Sequence, residues 1–415
     1  MGLIHFTDYN PNFFSWNRTL NQTSIARLQT LDKSSALNRE KKKEIGRSTD
    51  DGVVGYSRKK PDVSVSLSQL EHGSMDTYKA LANKDVETLD LDDFGNASND
   101  IVAYLTDQDD AFIGSKWYSN MRLEGFSINI GDPDSDVERS FDLVGEKDKI
   151  LQGDNQYFIW GNTTVESGDL DSIDSVDIVI SSPIAQENPD VTGEFMLQVL
   201  RVRANVVTKL SADDAEFTDT ANLLTVADCQ VDDIIKYAYS AKTVGNQTLM
   251  TLNDSDPAVI SADSCSVYLY IPASGSPDVE DYVYRLQSVS IDVSFERLDL
   301  SEIGNNEVVE RAIQTKTVSI GLNRFEISNA IEEVLRGEGA DYGILDVEKF
   351  TATARVVVKI YSDNTKDTFK MGFKATGLSA TELAHTMAVD EFTDVTNTIE
   401  GESLTITSVE ANLDD

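Results

Sequence analysis

The chain has 415 residues, 40% of them apolar, and 72 Asp or Glu against 35 Lys or Arg give a formal net charge of -37. That length supports a sizeable core and two or three domains. The charge excludes general binding to nucleic-acid backbone by charge neutralisation.

The imbalance is uneven. Residues 1–60 carry 11 Lys or Arg and 6 Asp or Glu, so a mildly basic N-terminal segment precedes an acidic body. It reads as a basic arm with Lys41, Lys42, Lys43 and Arg47 at its centre, either a solvated leader or a segment that docks on an acidic neighbour. Within it, Ile25 to Leu37 reads as a short helix. Gly52, Gly55 and Pro61 punctuate the boundary that follows.

Val63, Val65 and Leu67 alternate with Ser64, Ser66 and Ser68, the period of a half-buried strand. Ser74 then caps a helix over MDTYKALANK. An acidic connector from Asp85 to Asp110 leads to RLEGFSINI at Arg122 to Ile130, where Phe126, Ile128 and Ile130 face a core and Ser127 and Asn129 face away. With VERSFDLVG it makes a hairpin. Strands follow at Gln156 to Trp160, Ser175 to Ile180 and Phe195 to Val207, then shorter ones in IIKYAYSA, QTLMTL and SVYLYIP.

From Tyr284 to Glu326 the pattern is strand, polar loop, strand. Ile327, Ile331, Val334 and Leu335 then share a helical face that Gly337 ends. Phe350 to Tyr361 gives the longest alternation, roughly 40 Å of extended chain. Ser379 and Glu382 form a capping box opening a helix over SATELAHTMAV, and SLTITSVE is the last strand. The fold class is mainly β, with β-sandwich or barrel units flanked by a few α-helices.

An internal echo runs through this text. RLEGFSINI at 122–130 matches RLQSVSIDV at 285–293, and Val137-Glu138-Arg139 matches Val309-Glu310-Arg311 with nine extra residues in the second copy. It reads as a duplicated β unit whose second copy carries a longer loop, Phe295 to Asn306.

Chemistry is sparse. His5, His72 and His385 are scattered and lack companion ligands, and no nucleotide-binding, zinc-protease or nucleophile-elbow motif occurs. Asp132, Asp134 and Asp136 begin a calcium loop, but Val137 replaces its glycine and Leu143 its final glutamate; Asp90 and Asp92 fail likewise, with Phe94 at a ligand position and Ile101 at the end. Cys229 and Cys265 are two buried thiols or one disulfide. Asn162-Thr163-Thr164 is a glycosylation triplet without a secretory signal beside it. No cofactor, metal site or catalytic group is expected. No apolar run spans a membrane and no signal peptide opens the chain, so synthesis in the cytoplasm is expected.

The segment from Val289 to Arg311, with Arg297-Leu298-Asp299-Leu300, Glu302-Ile303-Gly304 and Arg311, resembles the major tail tube proteins of tailed phages and viruses. In that family an Arg-Asp-Leu-x-Glu-Leu-Gly segment leads from a strand into a loop, then an Arg-containing strand and a Pro-led one; here Gln314-Thr315-Lys316 lacks the proline. FSINIGDPDSDVERSFDLVG is similar to a hairpin of the same family through Glu138 and Leu143-Val144-Gly145. The resemblance covers about half the chain, mainly 120–150 and 283–400.

It implies β-sandwich units whose strands complete a continuous barrel with neighbouring subunits, in rings that stack into a tube for viral DNA. Stoichiometry is then three chains in a pseudo-sixfold ring if both copies are tube-like units, and otherwise six. Implied partners are other copies, the tail terminator, the baseplate or tip, the tape measure and DNA in transient, non-specific passage; no membrane is involved, and the place is the virion tail. An acidic lumen repels DNA phosphates, although uniform acidity also suits proteins from high-salt hosts. The alternative is a β-sandwich decoration module or a receptor- or glycan-binding module.

These readings divide the chain into a basic arm at 1–60, a tube-like domain at 61–207, an inserted β module at 208–280 and a second tube-like domain at 281–415. Arg297, Asp299, Glu302, Gly304 and Arg311 are the candidate subunit or ring contact. Lys41, Lys42, Lys43 and Arg47 are the candidate inter-ring arm.

Overall fold

The computed structural model describes residues 11–14, 22–36, 39–43, 53–58, 62–95, 97–106, 112–145, 147–152, 157–171, 174–179, 196–203, 206–210, 214–218, 223–241, 257–271, 279–282, 286–301, 308–325, 354–386 and 394–414. These are mainly antiparallel strands, with two short helices among them. By contacts the chain forms two compact units, Met1–Ile25 with Asn99–Met121 and Glu146–Asp254, and Ala26–Ser98 with Arg122–Gly145 and Ser255–Asp415.

The first stretch of chain contains β1 (Pro11–Phe14), β2 (Gln22–Ser24), β3 (Leu28–Ala36), β4 (Arg39–Lys43), β5 (Val53–Arg58), β6 (Asp62–Leu70), α1 (Asp76–Ala82), β7 (Thr88–Asp90), a 3-10 turn at Leu91–Phe94, β8 (Asn99–Thr106), β9 (Phe112–Ile130), β10 (Glu138–Gly145) and β11 (Lys147–Gln152). Then come β12 (Tyr157–Thr164), β13 (Val176–Val179), β14 (Met196–Arg203), β15 (Val206–Lys209), β16 (Ala215–Thr218), β17 (Leu223–Val226) and β18 (Ile234–Ala241). The last stretch holds β19 (Cys265–Ile271), β20 (Val279–Tyr282), β21 (Leu286–Ser301), β22 (Val308–Phe325), β23 (Ala354–Tyr361), β24 (Phe369–Thr386), β25 (Asp394–Gly401), β26 (Ser403–Thr407) and α2 (Ala411–Asp414).

The first and last stretches are one fold written twice. Pairing runs β2-β1-β8-β9-β11 in the first and β20-β19-β23-β24-β26 in the last. The other halves of the long strands give β3-β6-β10-β9 and β21-β22-β25-β24.

The irregularities coincide as well. A bulge between Leu28 and Thr30 of β3 returns between Leu286 and Ser288 of β21. One between Asn99 and Ile101 of β8 returns between Ala354 and Val356 of β23. The register slip at Glu124 on β9 returns at Thr381 on β24. Asn120, with φ 54, and Gly377, with φ 69, hold the same left-handed kink between the halves of β9 and β24. Bulges are specific features of a backbone, so their agreement is stronger evidence of duplication than shared alternation.

The duplication predicted from sequence is therefore real, but its segments pair differently. β9 and β21, which carry RLEGFSINI and most of RLQSVSIDV, are not counterparts; they are antiparallel neighbours, with Ile128 opposite Ile291. The counterpart of Leu286-Gln287 is Leu28-Gln29, and Val63-Ser64-Val65-Ser66-Leu67 returns as Val318-Ser319-Ile320-Gly321-Leu322. Val309-Glu310-Arg311 does not repeat Val137-Glu138-Arg139, since Val395 on β25 holds the place of Arg139 on β10.

Other expectations need correcting. Ile25 to Leu37 is not a helix, because Leu28–Ala36 is an edge strand whose amides pair with β6. SATELAHTMAV is not a helix either, because its described part continues β24 through Thr386 along β25. Phe195 to Val207 is two antiparallel strands, with Arg203 opposite Val206. The acidic connector contains β7, the 3-10 turn and β8. Phe295 to Asn306 is no simple loop, for Phe295–Ser301 lengthens β21 against β22. The helix expected at Ile327 to Leu335 and the strand QTLMTL lie outside the described residues.

Between the repeats, β12-β18-β14-β15 and β13-β17-β16 enclose a core of Val165, Val176, Ile178, Val199, Leu224, Val226, Ile235 and Tyr239. The expected division at residue 207 falls inside β15 of this sandwich, so the inserted module begins earlier than its composition suggests. The basic segment is divided too: Met1–Ile25 belongs to one unit, and residues from Ala26 onward to the other. Cys229 and Cys265 are buried free thiols.

In the second unit, Tyr78 of α1 joins the two sheets that share β24. Its ring meets Phe126 at 5.7 Å and Phe141 at 5.4 Å from one sheet, and Phe373 at 6.0 Å from the other, all edge-on. Such contacts add about 0.5–1.5 kcal/mol each beyond the area they bury. Beside it the Arg139 guanidinium is fully buried and donates to Glu71 at 3.1 Å and to Gln69 at 3.1 Å, while lying 5.4 Å from the centre of the Tyr78 ring. Burial, reinforced by Arg139, lowers the pKa of His72, leaving a neutral imidazole 3.3 Å from the guanidinium. The N-cap of α1 is Met75 rather than the expected Ser74, whose hydroxyl accepts the Asp76 amide at 3.1 Å.

Tyr78→Ala should cost about 3–5 kcal/mol in urea unfolding. The shared kink gives a second test: a Cβ added at Gly377 meets nothing within 4 Å, so only backbone strain discriminates there. Gly377→Asn should be nearly neutral, whereas Gly377→Val should cost about 1–2 kcal/mol.

Candidate functional site

The second unit contains an eight-stranded antiparallel sheet in the order β3-β6-β10-β9-β21-β22-β25-β24. Period-2 alternation gives it two unlike faces. Val63, Val65, Leu67, Phe141, Phe126, Ile128, Val289, Ile291, Val293, Val318, Ile320 and Ile399 form the apolar face and are buried.

The opposite face is mainly polar. One cross-strand row reads Thr30, Ser68, Ser140, Ser127, Asp292, Ser319, Glu400, Ser379. The flanking rows read Asp32, Ser66, Asp142, Gly125, Ser294, Thr317 and, on the other side, Leu70, Glu138, Asn129, Ser290, Gly321, Thr398, Glu382. None of these positions carries Lys, Arg or His.

Asp142, Asp292, Glu138 and Glu400 are exposed. The Ser66 hydroxyl donates to Asp142 at 2.6 Å, and the hydroxyls of Ser127 and Ser140 share a 2.7 Å hydrogen bond. A shallow depression among Ser64, Ser66, Asp142, Ser127, Asp292 and Ser319 is lined by such groups. Short hydroxyls and carboxylates on a flat sheet offer no concave cage for a small ligand. They present an extended, hydrated anionic surface.

Among the described residues the sheet has two open edges. Among the described strands β3 pairs only with β6, and Ser379–Thr386 of β24 pairs only with β25. Long unpaired edges are templates for further strands.

Of the predicted contact residues, Arg297 is described in full. Its guanidinium donates to the carbonyl of Leu123 at 2.8 and 3.0 Å, of Gly95 at 3.0 Å and of Phe94 at 3.4 Å. It thus clamps the 3-10 turn onto β9 of its own chain. Asp299 and Arg311 stand opposite each other across β21 and β22; Glu302 and Gly304 lie outside the described residues. Lys41, Lys42 and Lys43 are on β4, opposite Tyr56, Gly55 and Val53 of β5, so the basic segment forms a hairpin there. Arg47 lies outside the described residues.

Sequence reasoning passed over Arg139, Glu71 and Tyr78. One signal was available: Arg139 occupies an inward slot between Val137 and Phe141 in an otherwise regular alternation, which requires a buried partner. Among the described residues no three His, Cys, Asp or Glu side chains converge to hold a metal, and no helix is long and apolar enough to cross a membrane.

No protein-family model and no curated protein matches the chain. Among solved structures, a chain in the cryo-EM structure of the anti-feeding prophage baseplate, 6-fold symmetrised, is similar over 35% of this chain and 92% of its own, at 14% identity and a TM-score of 0.27.

Arg297→Ala should lower the unfolding free energy by about 1–3 kcal/mol, since it leaves carbonyls without their charged donor. Arg297→Lys should recover only part of that, because an ammonium lacks the planar fork. Urea titration of both variants checks this.

Proposed function

We propose that the chain is a tail tube protein of a tailed virus, without catalytic activity, assembling into rings that stack around a DNA conduit. The observation that carries the reading is the eight-stranded sheet, built from two equivalent four-stranded blocks, β3-β6-β10-β9 and β21-β22-β25-β24, joined side by side in the same order. A block that follows its equivalent along a sheet with its strand directions preserved is the arrangement of a barrel wall made of repeated units. The tail-tube resemblance of Val289 to Arg311 falls in the second block, and that of Phe126 to Gly145 in the first.

Ring size follows from strand number. Three chains contribute 24 strands, which at about 4.8 Å spacing and roughly 35–45° tilt close a barrel about 45–50 Å across at the backbone. Six chains would double that. Three chains with six blocks therefore suit a tube that passes one duplex. The polar face, with Asp142, Asp292, Glu138 and Glu400, would line the lumen and repel phosphate. The basic hairpin β4–β5 is assigned to contacts between successive rings, where it would meet acidic neighbours. The tail terminator, tape measure and baseplate or tip are the further partners of this reading.

Negative-stain microscopy of concentrated purified protein should show rings and tubes; monodisperse monomers throughout would overturn the reading. Asp142→Lys, Asp292→Lys and Glu400→Lys together should leave ring formation intact yet make tubes retain duplex DNA at low salt and release it at high salt. If these tubes bind no more DNA than the parent, the face does not line the conduit. Deleting 39–60 should leave rings but block stacking, and normal tubes from that variant would refute the hairpin's role.

A further inference from the structure

The junction between the repeats is a template for a junction between chains. In the chain, β9 of the first repeat pairs with β21 of the second: Val289 opposite Ile130, Ser290 opposite Asn129, Ile291 opposite Ile128, Asp292 opposite Ser127 and Val293 opposite Phe126. The counterpart of β9 is β24, and that of β21 is β3, with the same bulges fixing the equivalence residue by residue. Both counterparts are edges of the sheet among the described strands. β3 and β24 also have opposite directions, since each of the seven steps across the sheet is antiparallel. A second copy brought up by rotation alone therefore presents its β3 antiparallel to β24 of the first, and the ladder continues with its alternation intact.

We infer that the second copy of this chain binds along β24 through its own β3, in the register that the repeats dictate. That register puts Asp32 opposite Thr386, Lys33 opposite His385, Ser34 opposite Ala384 and Ser35 opposite Leu383. The pairs Asp32 with Thr386 and Ser34 with Ala384 extend the polar face, because they take the places of Ser290 with Asn129 and of Asp292 with Ser127. The ladder stops short of Glu382. Its counterpart Gly125 has no Cβ, and one built there would lie 2.7 Å from the Val293 carbonyl, so a glutamate cannot reproduce that end of the junction.

The inference rests on the ring reading for its closure: each chain supplies two blocks, the junction within the chain and the junction between chains are alike, and three chains return to the start. It goes further in naming the two edges and their register. The bond between copies consists mainly of backbone hydrogen bonds, with side chains setting the register.

The test is a cysteine pair in the full chain. Cys229 and Cys265 are buried, which leaves the new thiols as the accessible ones. Directly opposite residues bring Cα atoms within disulfide reach, whereas a shift of two residues does not. Oxidised rings of Ser34→Cys with Ala384→Cys should give a covalent ladder on a denaturing gel ending at three chains. Ser34→Cys with Thr386→Cys should give at least tenfold less, and the reduced double variants should form rings as the parent does. Rings in the microscope with no covalent species from the first pair, or with the second pair linking better, would overturn the junction while leaving the tube reading standing. A ladder ending at six chains would overturn closure by three. Absence of rings from the parent protein would sink the tube reading itself.

Discussion

The ladder between β9 and β21 is the constraint on which the architecture depends. It joins two copies of one motif through main-chain bonds, along residues that alternate strictly between an apolar and a polar face. A slip of one residue would turn either Ile128 or Ile291 outward and bring Ser127 or Asp292 into the core. Gly125 permits the close approach at one end of this ladder. The register of β9 against β10 also slips beside it, at Glu124.

Burial on the apolar face then requires cover, and α1 provides it through Tyr78. The ring touches aromatic side chains of both sheets of its unit, so the helix acts as filler between layers that share β24. The adjoining Arg139 and Glu71 pair is a poor source of net stability, since desolvation of both charges offsets much of their attraction. Its effect is to make one arrangement obligatory: removing either partner leaves a buried charge. The two repeats do not share this device, as Val395 replaces Arg139. They differ likewise at Asp100, which accepts the Trp117 indole N–H and the Asn120 amide, where its counterpart Arg355 lies over the Tyr270 ring at 4.2 Å. Backbone irregularities were retained while buried charges changed, which fits a fold whose geometry is set by the ladder.

Strands with one apolar face were legible in the sequence because Val63 to Leu67 and Phe126 to Ile130 alternate without interruption. Edge strands were not. β3 places Lys33 and Ser35 in slots that a central strand fills with apolar residues, and what remains, Ile25, Leu28 and Leu31, has helical spacing. β24 was masked by its bulge at Thr381, which breaks the alternation, while Ser379 and Glu382 imitate a helix cap. The wrong pairing of repeats has a related cause. Alternating Ser and Ile is the signature of any half-buried strand in this sheet, so RLEGFSINI and RLQSVSIDV agree through common burial, whereas Leu28-Gln29 and Leu286-Gln287 agree through position in the fold. The polar face was invisible as a unit because its carboxylates come from strands far apart in sequence.

Net charge acquires a location through this arrangement. With 72 acids in the chain, carboxylates on any surface are unremarkable; the informative fact is that three adjacent rows across a sheet hold Asp32, Asp142, Asp292, Glu138, Glu382 and Glu400 with no cation among them. The first cation along this face is Arg122, opposite Val144 in the next row. In the proposed tube these rows would face the passing duplex, and a lysine among them would recur around every ring and along every stack, holding phosphate at each turn.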